Sequence, residues 1–286
     1  MTTYAVTGAT GALGALVVGE LLGRGVPAAD VVAVVRTPSK AEDLAARGVT
    51  VRRGDYSAPE TLPAALAGVD VLLLVSGNEV GRRVPQHEAV IEAAVDAGVG
   101  RIVYTSVLRA DTTELALAPE HKATEELLRR SGVLFTVLRN GWYTENYTER
   151  IPEYLARGAI VGAAGGGRVA AATRADYAAA AAEVLLGDGH AGAVYELGGT
   201  PFTFTELAAQ ITRASGTEVG YTDVGVAELV GILQGAGLDE PTAGFVAALD
   251  EAIARGDLDA DPADLVRLLG RPSTPLADAV RASVAV

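Results

Sequence analysis

Three glycines near the start of the chain have a spacing that could hold a phosphate group. Gly8, Gly11 and Gly14 follow a short apolar stretch, Tyr4–Thr7, and precede a helical pattern. In this arrangement the first glycine allows a tight turn, the second lets the backbone approach a pyrophosphate, and the third lets the helix pack closely. The start of the helix adds unpaired N–H groups and a partial positive charge. The pattern therefore predicts a dinucleotide-binding loop.

The residue that follows the second apolar stretch bears on which dinucleotide is bound. Sites that prefer NAD place an acidic residue there, which accepts a hydrogen bond from the ribose 2′-hydroxyl. This chain instead has Arg36 after Val31–Val35, with Thr37 and Lys40 close behind. A guanidinium can form charge-assisted hydrogen bonds to a 2′-phosphate, each of about 1.5–3 kcal/mol. We therefore predict NADPH in preference to NADH; the alternative is an ordinary solvated arginine at a helix start.

Polar and small residues also follow the next two apolar stretches. Asp55 and Tyr56 come after the third, and Ser76 and Gly77 follow Val71–Val75. Ligands of parallel sheets bind at the carboxyl ends of the strands. We expect the first pair to border the adenine and the second pair to lie near the ribose or pyrophosphate.

These residues need a fold in which strands and helices alternate. Several apolar stretches are apolar at consecutive positions, which is typical of strands buried on both faces of a parallel sheet. The predicted strands are Tyr4–Thr7, Val31–Val35, Val49–Arg52, Val71–Val75, Ile102–Thr105 and Phe135–Leu138. We predict an α/β fold: a doubly wound parallel Rossmann sheet with a smaller, mainly helical C-terminal lobe. The NADP-binding domain is expected over 1–150, with a further strand near 193–197, and the substrate-side lobe over 151–192 and 198–286.

Composition excludes several classes of site. The chain of 286 residues has no cysteine, which excludes disulfides, thiolate metal ligands and a cysteine nucleophile, and fits a reducing cytoplasm. His87 and His190 lack partners at metal-ligand spacing, so we predict no metal. The net charge of −13 argues against nucleic acids and anionic membrane surfaces as partners. The uncharged start, Met1–Gly19, is interrupted by glycines and is not expected to span a membrane.

Four segments of the chain resemble the NmrA-like branch of the atypical short-chain dehydrogenase/reductases. They are Val6–Gly14, Val34–Arg36, Gly54–Tyr56 and Leu138–Tyr147. Within that branch the chain looks most like the flavin-free NAD(P)H:quinone oxidoreductases of type 2, and the bacterial triphenylmethane reductases are also similar. The run Asn140–Tyr147 is the most specific part of the resemblance, since the glycine motif is common to many reductases.

The resemblance implies NADP(H) without flavin or metal, and direct hydride transfer to a small quinone-like substrate. The oligomeric state does not follow from the sequence, and a homodimer is one possible assembly. The resemblance, together with the strand-end rule, places the following residues at the cofactor: Gly8, Ala9, Thr10, Gly11, Ala12, Leu13, Arg36, Ser76, Gly77, Asn140, Gly141 and Arg174.

Aromatic residues cluster after the sixth predicted strand, although only 5% of the chain is aromatic. Trp142, Tyr143 and Tyr147 could form the wall of a substrate pocket, because flat acceptors bind in apolar or aromatic sites. The alternative is that they are ordinary packing aromatics.

The proton donor common in short-chain dehydrogenases, a Tyr-x-x-x-Lys pair, is absent from this sequence. The two lysines are Lys40 and Lys122, and neither lies four positions after a tyrosine. In the related plant benzylic ether and isoflavone reductases a catalytic lysine precedes a glycine-led strand, and here His121 stands at that place. His121 could donate a proton or a hydrogen bond to a reducing carbonyl; the alternative is a helix-start histidine without a catalytic role.

Three functional hypotheses remain open. The first is an NADPH-dependent reductase of quinone-like acceptors. The second is a non-catalytic NmrA-like regulator that senses NADP(H) and binds a protein partner. The third keeps the enzyme and takes a triphenylmethane dye as the acceptor.

Overall fold

The computed structural model describes residues 1–285, which form nine strands and thirteen α-helices. The strands are β1 (Tyr4–Thr7), β2 (Val31–Val35), β3 (Thr50–Arg53), β4 (Val71–Leu74), β5 (Arg101–Val107), β6 (Leu134–Asn140), β7 (Ala159–Gly162), β8 (Val194–Leu197) and β9 (Gly220–Asp223). The helices are α1 (Ala12–Gly23), α2 (Glu42–Ala46), α3 (Leu62–Leu66), α4 (Arg83–Asp96), α5 (Ala118–Ser131), α6 (Glu145–Thr148), α7 (Ile151–Arg157), α8 (Arg174–Leu186), α9 (Phe204–Ser215), α10 (Val226–Gly235), α11 (Glu240–Ala254), α12 (Ala263–Leu269) and α13 (Leu276–Val284).

The chain divides into two compact units, each assembled from separate segments. The first comprises Met1–Asp111, Leu117–Asn140 and Arg174–Tyr195, and the second comprises Thr112–Ala116, Gly141–Thr173 and Glu196–Val286. The domain boundaries proposed above from the sequence remain a prediction.

The first unit is built on a seven-stranded sheet with the order β3-β2-β1-β4-β5-β6-β8. The neighbouring pairs from β3 to β6 are parallel. β1 lies between β2 and β4, so the order of strands reverses there, and this is the place where doubly wound sheets bind ligands. The predicted Rossmann-like α/β fold is confirmed.

The central strands of this sheet are apolar because both of their faces are covered. All five residues of β2 (Val31–Val35) are at most 1% exposed. Burying one such side chain stabilises the fold by about 1.5–3 kcal/mol. One face of the sheet carries a cluster that includes Leu66, Leu72, Ile102 and Tyr104. The core thus fixes the strands, and with them the loops at their carboxyl ends.

The second unit is mainly helical, as predicted, but it also contains a small sheet. β7 and β9 pair in parallel, with Ile160 opposite Tyr221. The sequence did not reveal these strands, because each has only four residues and β9 is mostly exposed. α9 begins with a capping box formed by Thr203 and Glu206. Among the helices of residues 1–285, none has the length and apolar character needed to cross a membrane.

Candidate functional site

The glycine motif forms a turn that only glycines can make without distortion. Gly8 has φ +59°, in the left-handed region. A Cβ atom on Gly14 would lie 2.4 Å from the carbonyl oxygen of Gly8, and one on Gly11 would lie 3.1 Å from it. The start of α1 can therefore come directly against the turn. Its N-cap, Gly11, has no side-chain cap, so the first N–H groups of the helix are available to an anion.

A groove of about 420 Å³ lies beside this turn. It is lined by residues that follow β1, β2, β3 and β4. The predicted cofactor residues that line it are Gly8, Thr10, Gly11, Arg36, Ser76 and Gly77. Asp55 and Tyr56, the residues expected to border the adenine, also line it. The structure therefore brings together residues from four separate loops of the first unit.

Arg36 reaches into this groove with a side chain that is 73% exposed. Its Nη1 atom lies 3.8 Å from Oε1 of Glu79. The other carboxylate oxygen of Glu79 accepts hydrogen bonds from Arg82 and Gln86, each at 3.0 Å. Arg36 is thus placed where a guanidinium can meet an anion in the groove, and Glu79 is the anion nearest to it in this structure.

The peptide group of Gly77 is held from both sides by buried side chains of α4. Its N–H donates to Nε2 of His87 at 2.9 Å, and its carbonyl accepts from Nε of Arg83 at 2.8 Å. Arg83 in turn pairs with Glu120 at 2.6 Å. Neither residue was predicted to belong to the site from the sequence. They belong to no sequence motif, and their contact with the peptide group of Gly77 forms only when α4 packs beside the loop.

The tautomer of His87 follows from its neighbours. Thr124 donates its hydroxyl proton to the carbonyl of Glu120 at 2.9 Å, so it accepts a hydrogen bond from Nδ1–H of His87 at 3.0 Å. Nε2 is then the unprotonated nitrogen and accepts from Gly77. Burial lowers the pKa of His87 to about 3, and the charge of Arg83 adds to the effect. His87 is therefore a neutral acceptor that fixes the cofactor loop.

His121, the candidate proton donor, is only 5% exposed. Its Nδ1 lies 2.7 Å from the hydroxyl of Tyr104. Burial raises the pKa of Tyr104, so the phenol stays protonated. Nδ1 is the hydrogen-bond partner of this buried hydroxyl, so the O–H donates to Nδ1, and the proton of the neutral imidazole then lies on Nε2. Burial, together with the charge of Arg83, lowers the pKa of His121 to about 3. His121 can therefore donate a hydrogen bond as a neutral imidazole, but it is not an acid near neutral pH.

The remaining predicted cofactor residues lie outside the lining of the groove. Ala9 is buried after β1, while Ala12 and Leu13 form the first residues of α1. Gly141 donates its N–H to the carbonyl of Leu197 at 2.8 Å. Arg174 is the first residue of α8 and is half-buried.

Asn140 ends β6 and is 5% exposed. Its side-chain oxygen has no hydrogen-bond partner within residues 1–285. An unsatisfied buried acceptor costs about 1–3 kcal/mol, so this oxygen is suited to a donor supplied by a ligand. Together with the glycine turn, which leaves the first N–H groups of α1 available to an anion, it shows that the residues present fit a dinucleotide.

Two of the three predicted pocket aromatics line a cavity in the second unit. Trp142 and Tyr147 lie in the wall of a space of about 190 Å³. Tyr143 does not line it; its backbone forms an isolated bridge with Ala172. The other aromatic residues of the wall come from three separate helices: Tyr154, Phe204 and Phe245.

A glycine turn at the switch point of a parallel sheet, with an arginine in the adjoining groove, defines a dinucleotide-binding protein of the Rossmann class. Comparison with known proteins agrees. The model of a family described as NAD(P)H-binding matches residues 8–187. Quinone oxidoreductase 2 of Escherichia coli (strain K12) is 50% identical over 277 residues, which is 96% of each chain.

Two solved structures extend this likeness to the whole fold. The crystal structure of the Escherichia coli NADPH-dependent quinone oxidoreductase, complexed with NADPH, matches with a TM-score of 0.94 and 49% identity, over 97% of this chain and 98% of the other. Triphenylmethane reductase of Citrobacter sp. matches with a TM-score of 0.95 and 41% identity, over 99% of this chain and 100% of the other. The chain therefore belongs to the NAD(P)H-binding family, and its resemblance to the NmrA-like quinone oxidoreductases is confirmed.

Proposed function

We propose that the protein is an NADPH-dependent reductase that passes a hydride directly, without flavin or metal, to a quinone-like acceptor. The observation that carries this proposal is the groove of the first unit, where the glycine turn and Arg36 line one continuous space. The 50% identity to quinone oxidoreductase 2 of Escherichia coli supports the choice of acceptor.

The chain's own residues would bind and orient the cofactor. The turn at Gly8 and the start of α1 hold the pyrophosphate, Arg36 pairs with the 2′-phosphate, and His87 keeps Gly77 in place. When bound, NADPH would supply a hydride from C4 of the dihydronicotinamide, and a quinone that took up this hydride and a solvent proton would become hydroquinone, with NADP⁺ as the other product.

Little acid catalysis is needed from the protein. The anion formed on the reduced ring is stabilised by resonance, so solvent can protonate it, and positioning of the two rings supplies most of the acceleration. This agrees with a His121 that stays neutral. We propose that its Nε2–H donates a hydrogen bond to the acceptor carbonyl rather than a proton.

The direct test is rapid mixing of the purified protein with NADPH and 1,4-benzoquinone while the absorbance of the reduced nicotinamide is followed. We expect NADPH to be consumed without added flavin or metal, and the visible spectrum of the protein to lack a flavin band. A chain that oxidises no NADPH with any of a panel of quinones, or that needs added flavin, would overturn the proposal.

A triphenylmethane dye is the second candidate acceptor, because the Citrobacter reductase matches the fold with a TM-score of 0.95. Decolourisation of such a dye, measured beside quinone reduction under the same conditions, distinguishes the two. A higher kcat/KM for the dye would favour it.

The regulator hypothesis predicts the opposite result in the same assay. A non-catalytic NmrA-like sensor would bind NADP(H) in a calorimeter, turn over no acceptor and bind a protein partner. The cytoplasmic location, the homodimer and the absence of a nucleic-acid partner remain parts of the proposal. Size-exclusion chromatography with light scattering would test the homodimer, and a DNA-binding assay would test the absence of a nucleic-acid partner.

A further inference from the structure

The helices α10 and α11 pack on each other as a hairpin, residues 226–254, which forms one wall of the cavity in the second unit. Leu233 and Phe245 line the cavity of about 190 Å³ from the hairpin, and Tyr154 and Ile160 line it from α7 and β7. A close-packed interior gives every side chain contacts on all sides. The face of the hairpin that meets this cavity lacks part of those contacts, so its attachment there is weak.

Around the cavity the hairpin is held by a small apolar cluster. Leu229 and Leu233 of α10 belong to this cluster, and Val161 of β7 packs against it. Glycines bound the hairpin on both sides: Gly225 is the N-cap of α10, and Gly256 follows α11 with φ +85°. A segment that is bounded by flexible residues and attached by few apolar contacts can open without the rest of the fold.

The polar attachment of the hairpin to the end of β7 is a buried carboxylate. Asp250 of α11 is 7% exposed, and its Oδ2 atom accepts the N–H of Ala163 at 2.9 Å. A Cβ atom on Gly162 would lie 2.7 Å from the same oxygen, so α11 comes directly against the backbone at this point. The contact between Asp250 and Ala163 therefore requires the hairpin to be closed.

The surroundings of Asp250 do not compensate a negative charge. Within residues 1–285 the carboxylate has one hydrogen-bond donor, and no cationic nitrogen lies within ion-pair distance of it. Arg150 is near, but it pairs with Glu153 at 3.1 Å. A buried carboxylate with so little support is unfavourable when ionised, and burial raises the pKa of Asp250 to about 6. The ionisable groups that face Asp250 are Tyr147 of α6, Arg150 before α7, Tyr154 of α7, and Tyr221 and Asp223 of β9.

We infer that the α10–α11 hairpin is a lid over the cavity of the second unit, and that ionisation of Asp250 favours its opening. In the closed position the neutral carboxyl lies against Ala163, and in the open position the carboxylate is in water. The cavity is therefore closed in mild acid and more accessible at neutral pH. The inference concerns access to the cavity and holds whether or not the proposed function is right.

The direction of the effect follows from the two positions of the carboxyl. In the open lid Asp250 has its ordinary pKa of 3.8, and in the closed lid its pKa is about 6. Raising the pH removes a proton more readily from the open form, so the equilibrium shifts towards opening. Between about pH 5 and about pH 7.5 the ratio of open to closed chains should rise about tenfold.

Hydrogen–deuterium exchange of the full chain, corrected for the intrinsic rate at each pH, measures this ratio. In the wild type the amides of α10 and α11 should lose protection about tenfold over this range, and they should be less protected than those of β4. Asp250→Asn still accepts the N–H of Ala163 but cannot ionise, so its protection should be the same at both pH values. Glu251→Gln, an exposed acid on the same helix, is the matched control and should follow the wild type.

A second variant opens the lid without a change in charge. Gly162→Ala places a methyl group where the Asp250 carboxylate lies, so the hairpin should lose protection at both pH values. Circular dichroism establishes that each variant is folded. Trp142 is the one tryptophan of the chain and lies in the cavity wall, so quenching of its fluorescence by acrylamide, a small neutral probe, reports access to the cavity.

Three results would overturn the inference. If α10, α11 and β4 are equally protected at every pH, the hairpin opens only when the whole chain unfolds. If Asp250→Asn keeps the pH response of the wild type, another group controls the opening. If the quenching of Trp142 stays constant while the hairpin loses protection, its movement does not uncover the cavity and it is not a lid.

Discussion

Gly77 donates its backbone N–H to Nε2 of His87 across 2.9 Å, and the other nitrogen of the same ring lies 3.0 Å from Thr124. A fully buried histidine of α4 therefore fixes the peptide of a loop that lines the cofactor groove. His87 touches no reacting atom in this arrangement, and we regard it as a positioning residue.

The variant His87→Phe should weaken NADPH binding about tenfold, because it fills the same space but leaves the Gly77 N–H without its acceptor. Calorimetry gives the dissociation constant directly. His190→Phe is the matched control, since His190 pairs with Tyr195 away from the groove. Unchanged NADPH affinity in His87→Phe would show that the loop holds its shape without this contact.

The pH dependence of NADPH binding follows from the low pKa of His87, about 3. The imidazole stays neutral throughout the range from about pH 5 to about pH 8, where an ordinary histidine would titrate. The ratio of the two dissociation constants, His87→Phe over wild type, should therefore be constant across this range. A ratio that changes around pH 6.5, the ordinary pKa, would mean that His87 titrates normally.

Replacing Arg36 by alanine should weaken NADPH about tenfold to a hundredfold and leave NADH nearly unchanged, because the proposed partner of the guanidinium is the 2′-phosphate, which NADH lacks. Dissociation constants for both cofactors provide the measurement. Arg47→Ala, at an exposed helix end, removes the same charge outside the groove and should change neither constant. Equal losses for both cofactors would contradict this role of Arg36.

The buried pair of Arg139 and Glu125 should contribute strongly to stability. Arg139 donates to both carboxylate oxygens, at 2.9 and 2.8 Å, and the two side chains are 6% and 1% exposed. Glu125→Gln removes the buried carboxylate and leaves Arg139 paired with Asp111, which lies at 2.9 Å but is 54% exposed. The variant should therefore cost about 3 kcal/mol of unfolding free energy, the lower end of the range for breaking a buried pair.

Denaturant unfolding measures this cost, with Glu251→Gln as the control. Glu251 lies 3.6 Å from Arg255 on an exposed surface, so its loss should cost about 0–1 kcal/mol. Similar values for the two variants would show that burial does not distinguish the pairs.

Asp250 should make stability depend on pH in an unusual direction. Burial raises its pKa from 3.8 to about 6, so the folded chain favours the neutral carboxyl. The neutral Asp250 carboxyl therefore stabilises the folded chain at low pH. This contribution to the unfolding free energy, about 3 kcal/mol, is lost as the pH rises from about 4 to about 6. Asp250→Asn removes this dependence and can still accept the N–H of Ala163. As the pH rises over this range, the unfolding free energy of the wild type should fall relative to that of the variant. Parallel curves of unfolding free energy against pH for the two proteins would show that the pKa of Asp250 is not raised.

The sheet and the phosphate turn were predictable because their signals are local. A run such as Val31–Val35 identifies a buried strand from five adjacent residues, and the Gly8–Gly14 spacing describes one continuous turn. β7 and β9 were missed since four-residue strands have too few positions to show a pattern.

The contacts that complete the two sites were not predictable, because they join residues far apart in the chain. His87 becomes informative only when Thr124, 37 positions later, is seen to bind its other nitrogen. The carboxyl of Asp250 binds the N–H of Ala163 across 87 positions. Nothing in either neighbourhood of the sequence marks these partners.

The approach of Glu79 to Arg36, at 3.8 Å, gives the cofactor groove a counter-anion of its own. A 2′-phosphate that pairs with this arginine would therefore take the place of a carboxylate that already lies near the cation. Binding is an exchange of one anion for another, so its dependence on ionic strength should be weaker than for a bare guanidinium. When NADH, which lacks this phosphate, is bound, Arg36 would keep Glu79 as its counter-ion. The affinity for NADH should therefore fall less far below that for NADPH than it would with an unpaired arginine.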